Sequence, residues 1–178
     1  MSVRTSQIAV RTIMHADRDW ISALFTQHFG GPEIDSRDES FDTCKLPGLV
    51  AEIDGRLVAA LSHTPMLPNT VCEIIALASA ERCVGAGSAL LDACIAAARV
   101  AGCSRLFLTT GNDNTPALRF YQKRGWRIVA IHRDAMTRAR VRKPTLPLTG
   151  HDGILIADEL ELEYALVPFS PPGRSAGV

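Results

Sequence analysis

Apolar and polar residues alternate from Gln7 to Ile13, with Ile8, Val10 and Ile13 between polar neighbours, and this period of two predicts an opening strand. From Asp17 to Phe29 the period lengthens. Trp20, Ile21, Leu24, Phe25 and His28 fall at helical spacing, and Gly30-Gly31-Pro32 ends the helix. Glu33 to Lys45 carries scattered charge with little periodicity, so a loop or short helix is expected, either on the substrate side or as a plain surface connector. Leu49–Ile53 and Leu57–His63 flank Asp54-Gly55, a turn pair that suits a tight antiparallel hairpin. Thr70 to Ala78 is mostly apolar, the pattern of a strand buried on both faces in mid-sheet.

Gly85 to Val100 is a long Ala/Leu-rich helix ended by Gly102, and Arg105 to Thr110 is a short β-run. A second helix is expected from Thr115 to Arg124, with Pro116 in its first turn and Gly125 as its C-terminal cap, before a strand from Trp126 to His132. Ala135 to Lys143 is basic and compatible with helix, and Pro144 to Gly153 is irregular. Asp158 to Leu166 alternates acidic and apolar residues, a half-buried strand with Glu159, Glu161 and Glu163 on one side. The order β-α-ββ-β-α-β-α-β-β predicts a single α/β domain over residues 1–167, with a mixed sheet of about six to seven strands and about four helices. The Pro/Gly/Ser-rich residues 168–178 read as a flexible tail.

Composition narrows the function classes. Across 178 residues, 19 lysines and arginines balance 19 aspartates and glutamates, so no global field recruits nucleic acid or an anionic membrane. Neither a signal peptide nor a spanning segment is visible, so a cytoplasmic protein is expected. The five cysteines at positions 44, 72, 83, 94 and 103 are scattered and never form CxxC, and the histidines lack metal-ligand spacing. No metal site is expected. The basic run Arg138 to Lys143 is read as a solvated surface, or as an attractor for an acidic substrate or a subunit partner, and a homodimer stays open.

The chemistry concentrates where the apolar run Ile74–Ala78 breaks into a short turn. Gly85 and Gly87 then open the long helix, with Arg82 three residues ahead of the first. Strand, glycine turn and helix N-terminus together build an anion site from backbone N–H groups and the helix dipole, which suits a diphosphate. A phosphate-binding loop of the GxxxxGK[ST] kind needs a lysine that is missing, since Ala89 follows Ser88. A dinucleotide fingerprint needs a third glycine where Leu90 stands, and an acidic ribose clamp that the next strand lacks. Arg82-x-x-Gly85-x-Gly87 is followed by Asn114-x-x-Ala117-x-x-Phe120-Tyr121-x-x-x-Gly125-Trp126. These two motifs, in this order and separation, resemble those of the GNAT acyltransferase superfamily over roughly Gln7 to Ile131.

The resemblance implies a V-shaped splay in the sheet and acetyl-CoA as co-substrate. Ile75, Ala76 and Leu77 would meet the pantetheine with backbone groups, and the N–H groups of Val84, Gly85, Ala86, Gly87 and Ser88 would hold the pyrophosphate. Arg82 would add charge. Cys83 and Val84 stand where the family carries glycine and a basic residue, which implies one phosphate contact fewer. Asn114 matches the asparagine that bonds the pantetheine or its neighbouring backbone, and it equally suits an N-cap for the following helix. Tyr121 matches the tyrosine that faces the sulfur and acts as the acid. Glu73, two residues before Ile75, is the candidate base beside a strand-end ion pair or a relayed water. The implied function is transfer of an acetyl group to a primary amine of a small molecule or protein, by direct attack in a ternary complex. A non-catalytic acyl-CoA-binding or scaffolding module of the same fold is the alternative.

Overall fold

The computed structural model describes residues 7–80 and 85–166. Arg82, Cys83, Val84 and the tail from residue 168 lie outside the described residues. Seven strands form one mixed sheet: β1 (Ile8–Thr12), β4 (Gly48–Ile53), β5 (Arg56–His63), β6 (Val71–Ser79), β7 (Arg105–Gly111), β8 (Arg127–His132) and β9 (Glu159–Tyr164). Their spatial order is β1-β4-β5-β6-β7-β9-β8, and only β6 and β7 run parallel. The helices are α1 (Arg18–Phe29), α2 (Ala86–Val100), α3 (Thr115–Gln122) and α4 (Ala135–Arg142). This is the α/β architecture that the patterning predicts. The hairpin turn at Asp54-Gly55 has φ of +50° and +77°, the two left-handed residues that a tight two-residue connection needs.

The sheet separates two apolar layers. On one face Ile21, Leu24 and Phe25 of α1 pack on Val50, Ala60, Ala76 and Ala78. On the other, Leu90, Leu91, Cys94 and Ala98 of α2 pack on Leu61, Cys72, Ile74 and Leu106, with Tyr121 and Trp126 in the same cluster. Cys72 and Ile74 therefore face α2, while Ala76 and Ala78, of the same parity, face α1. Such a reversal needs one extra residue in the strand. The register supplies it, because Ser62 opposes Ala76 while the adjacent His63 opposes Ile74, leaving Ile75 as a β-bulge.

One expectation is corrected. Residues 33–45 are neither loop nor helix over most of their length. They form a hairpin of β2 (Glu33–Ser36) and β3 (Glu39–Asp42) that lies over the α1 side of β6. Arg37 and Asp38 at its tip adopt φ of +49° and +67°. Neither is a glycine or asparagine, so the turn carries no composition signal, and contacts made elsewhere hold it. Those contacts come largely from the basic run on α4: Arg138 pairs with Asp38 at 2.9 Å, and the Lys143 ammonium donates to the Glu33 carbonyl at 2.8 Å. The run thus has partners within its own chain, while Arg138 and Arg142 stay exposed to solvent.

Candidate active site

The sheet opens where the bulge lies. Parallel pairing of β6 with β7 stops at Ile74 opposite Leu108, although β6 continues to Ser79 and β7 to Gly111. Beyond that point β6 stays paired to β5 and β7 to β9, so the two strands part. Ile75, Ala76 and Leu77, the predicted pantetheine contacts, lie on this diverging stretch.

A cleft of about 290 Å³ occupies the α2 and α3 side of the opening, lined by Leu77, Ser79, Gly87, Ser88, Tyr121 and Arg124 among others. Gly85 sits at the N-cap of α2 with φ +102° and offers no side-chain cap, so the first N–H groups of a 15-residue helix face this cleft without a capping side chain. A Cβ on Gly87 would meet the Phe120 ring at 3.4 Å, so the glycine lets α3 lie close against α2. Ala86 is fully buried beneath the turn. Asn114 caps α3, its Oδ1 accepting from the Ala117 N–H at 3.3 Å while its Nδ2 donates to Thr110 Oγ1 at 3.2 Å. The capping role is thus occupied in the structure.

Tyr121 is 8% exposed, wedged between Phe120 and Trp126 with ring centroids 5.3 and 5.7 Å away. Its hydroxyl makes no hydrogen bond to another described residue, and burial pushes its pKa well above the ordinary phenol value. Arg124 lies in the cleft itself, donating to Ser88 Oγ and stacking 3.8 Å from the Phe120 ring centroid.

Glu73 occupies the opposite face. Its side chain is 3% exposed; Ser36 Oγ donates to one carboxylate oxygen and the Arg37 guanidinium pairs with the other at 2.7 Å. Ser36 also lies 2.8 Å from Thr109 Oγ1, and the Arg37 N–H donates to Glu159 at 2.9 Å. Burial raises the Glu159 pKa. Glu161 is held below the usual carboxylate range: burial alone would raise it, but bonds from Arg105 and from His132, the latter at 2.8 Å, prevail. The splay therefore has a phenol on one side and a buried, fully bonded carboxylate on the other. Sequence reasoning missed Ser36, Arg37 and Thr109. Only the hairpin brings them to Glu73, and no local pattern announces that hairpin.

Residues 16–126 match the family model described as Acetyltransferase (GNAT) family. The uncharacterized protein YdhI of Bacillus subtilis (strain 168) is 36% identical over 141 residues, covering 79% of this chain and 87% of that one. Among solved structures, an IAA acetyltransferase from Bacillus cereus ATCC 14579 superposes with a TM-score of 0.67 at 23% identity, covering 89% of this chain and 100% of that one. A GNAT family acetyltransferase from Elizabethkingia anophelis with acetyl-CoA bound gives 0.61 at 19% identity, over 88% of this chain and 96% of that one. These two carry the same fold. The strand splay, the glycine-opened helix and the family match together place the chain in the GNAT family of acetyltransferases.

Proposed function

We propose that this protein is an acetyl-CoA-dependent N-acetyltransferase that acts on a primary amine by direct attack in a ternary complex. One observation carries the reading: β6 parts from β7 after Ile74 at the same cleft that Tyr121 and the N-terminus of α2 line. The thioester arm would lie along Ile75 to Leu77, completing the interrupted sheet with backbone hydrogen bonds. The pyrophosphate would rest on the first N–H groups of α2 at Gly85, Ala86, Gly87 and Ser88, with Arg124 as a charged neighbour. Val84, Cys83 and Arg82 belong to the same proposal. Acetyl-CoA supplies the acyl group, and no metal is invoked.

The amine nitrogen attacks the thioester carbonyl carbon, forming the C–N bond, and the oxyanion is met by a backbone N–H near Leu77. Collapse breaks the C–S bond and expels a thiolate whose thiol titrates near ~8.5. Tyr121 stays protonated at any working pH, so its hydroxyl donates a hydrogen bond to the departing sulfur. As the weaker acid, it need not surrender its proton. The proton lost by the amine, whose ordinary pKa is about 10.4, neutralises the thiolate. Glu73 would take that proton first, through Ser36 or a water, since both of its oxygens are bonded. Among the described cysteines, burial pushes Cys72 up to about 12 and Cys94 higher still, so neither suits a covalent acyl-enzyme.

The test is CoA release from acetyl-CoA across a panel of primary amines, with acetyl-CoA binding followed by calorimetry. Binding and turnover are expected; failure to bind acetyl-CoA would sink the proposal. The locking of Glu73 by Ser36 and Arg37 favours a second reading, a non-catalytic acyl-CoA-binding module, whose signature is tight binding with no release on any amine.

A further inference from the structure

A second cavity, of about 760 Å³, lies beyond the end of β7 and is lined on one side by Asn114, one helical turn from the Ala117 that lines the cleft. On its other side Ile34 and Asp35 of β2 directly precede Ser36, the residue bonded to Glu73. Its outer wall is Met136, Ala139, Lys143, Leu146, Pro147 and Ile156, all past residue 126, where the family match ends. The stretch matched by the family model thus supplies one side of the chamber, and α4 with the loop after it supplies the other.

The chamber is apolar at Ile34, Met136, Leu146 and Ile156, yet two buried carboxylates stand on its walls. Asp35 has a side chain 10% exposed, and its Oδ2 is buried with no hydrogen-bond partner among the described residues. Lys143 and Arg142 approach it at 3.4 and 3.6 Å, but Lys143 already donates to the Glu33 carbonyl. Asp113 is 8% exposed; its carboxylate accepts the His151 N–H at 3.3 Å, and among the described residues no cationic side chain pairs with it. Two glycines let the backbone close on it: a Cβ would lie 1.8 Å from Asp113 Oδ2 at position 150, and 2.6 Å from Oδ1 at position 111. The other titratable groups on the walls are Glu33, His28 and His151, so with Arg142 beside Asp35 three acids face two cations. A buried carboxylate without a full set of partners favours a cation.

We infer that this chamber takes the acceptor, and that the acceptor class is a small amine with a second cationic nitrogen across an apolar spacer. The inference rests on the acetyl-transfer reading above. Two nitrogens follow from the division of roles: Glu73 is the base assigned above, so a nitrogen held by Asp35 or Asp113 keeps its proton and is not the one that attacks. The chamber is also walled on several sides, which suits a free small molecule better than a lysine on a folded protein.

The probes are 1,8-diaminooctane, octylamine and 8-aminooctanoic acid, titrated by calorimetry into the CoA-saturated protein and assayed for CoA release from acetyl-CoA. The diamine is expected to bind at least about tenfold more tightly than octylamine, the span of one charged hydrogen bond, with the amino acid weakest. Asp35→Asn and Asp113→Asn should each remove about that factor from kcat/KM for the diamine and leave that of octylamine, whose one nitrogen has to attack, nearly unchanged. Leu146→Trp, at a half-buried position, should suppress all three amines while acetyl-CoA still binds. Equal binding of octylamine and diamine, preference for the amino acid, or no amine binding at all overturns the inference. Turnover of octylamine without preference for the diamine overturns the inference alone. Diamine binding without turnover on any amine removes the acetyl-transfer reading and leaves the binding site standing.

Discussion

The two cavities of this molecule are built in opposite ways. The cleft at β6, α2 and α3 is made of diverging backbone, a helix terminus and small residues, with Tyr121 and Arg124 as its few reaching side chains. The chamber beneath α4 is made of side chains from segments as distant as His28 and Ile156. The first lies within residues 16–126 and the second draws its outer wall from beyond them. Main chain suits a ligand that every member of a family would share, because its hydrogen bonds survive substitution. Side chains suit a ligand that distinguishes one member from another. The division of labour follows from which atoms do the binding.

The largest effect should come from the cleft. Tyr121→Phe removes a hydroxyl that bonds no other described residue, so stability should hold while kcat falls by about a hundredfold or more for every amine. KM for acetyl-CoA should move by less than about threefold. Steady-state kinetics with two unlike amines decide it. A fall confined to one amine would put Tyr121 in the acceptor's business and break the contrast.

The second effect belongs to the hairpin. Arg37→Ala leaves Ser36 as the only side-chain donor to the buried Glu73 carboxylate among the described residues and strips a cation from 4.4 Å above the Phe107 ring. Breaking a buried pair by one partner is costly, and the partial exposure of Arg37 tempers it, so a loss of about 2 kcal/mol is expected in urea unfolding. Binding of acetyl-CoA to the folded fraction should be unchanged. A third and smaller effect returns to the cleft: Arg124→Ala should weaken acetyl-CoA binding about tenfold by calorimetry, or about 1.4 kcal/mol, without changing the ranking of amines. If the ranking changes, the two cavities are not independent.

The same contrast governs what could be read from the chain. Period-two alternation and helix caps made the seven-stranded sheet and the α2 turn legible, since each signal lies within a few residues of the structure it causes. The bulge at Ile75 was not legible, because Ala76 and Ala78 are apolar and suit either face. The hairpin at residues 33–42 was hidden because Arg37 and Asp38 are unusual residues for a left-handed turn, and α4, a hundred residues later, pins it. Asp35 and Asp113 carry no motif at all. They become conspicuous only once folding buries them with few partners.

The smallest predicted effect concerns pH. On the α2 side the buried titratable groups Tyr121, Cys72 and Cys94 are all shifted upward and remain protonated, so that face should be indifferent to pH near neutrality. On the hairpin side, burial raises the Glu159 carboxyl above its ordinary value of 4.5. Between that value and the raised one the folded state keeps a proton that the unfolded chain has lost, so stability falls as pH rises through this window and stays lower above it. Gln at position 159 cannot ionise, while its amide oxygen can still accept the Arg37 N–H. Glu159→Gln should therefore be more stable than the parent at pH 8, by less than about 1 kcal/mol, with the gap closing as pH falls towards 4.5. His63 works in the opposite sense. Its burial lowers its pKa, so protonating the unfolded chain below about 6.5 destabilises the fold. The measurement is consequently the difference between variant and parent melting curves at each pH, in which the His63 contribution cancels. A difference that is flat across pH would mean that Glu159 is solvated in the folded protein, and the hairpin side would then be no more sensitive to pH than the cleft.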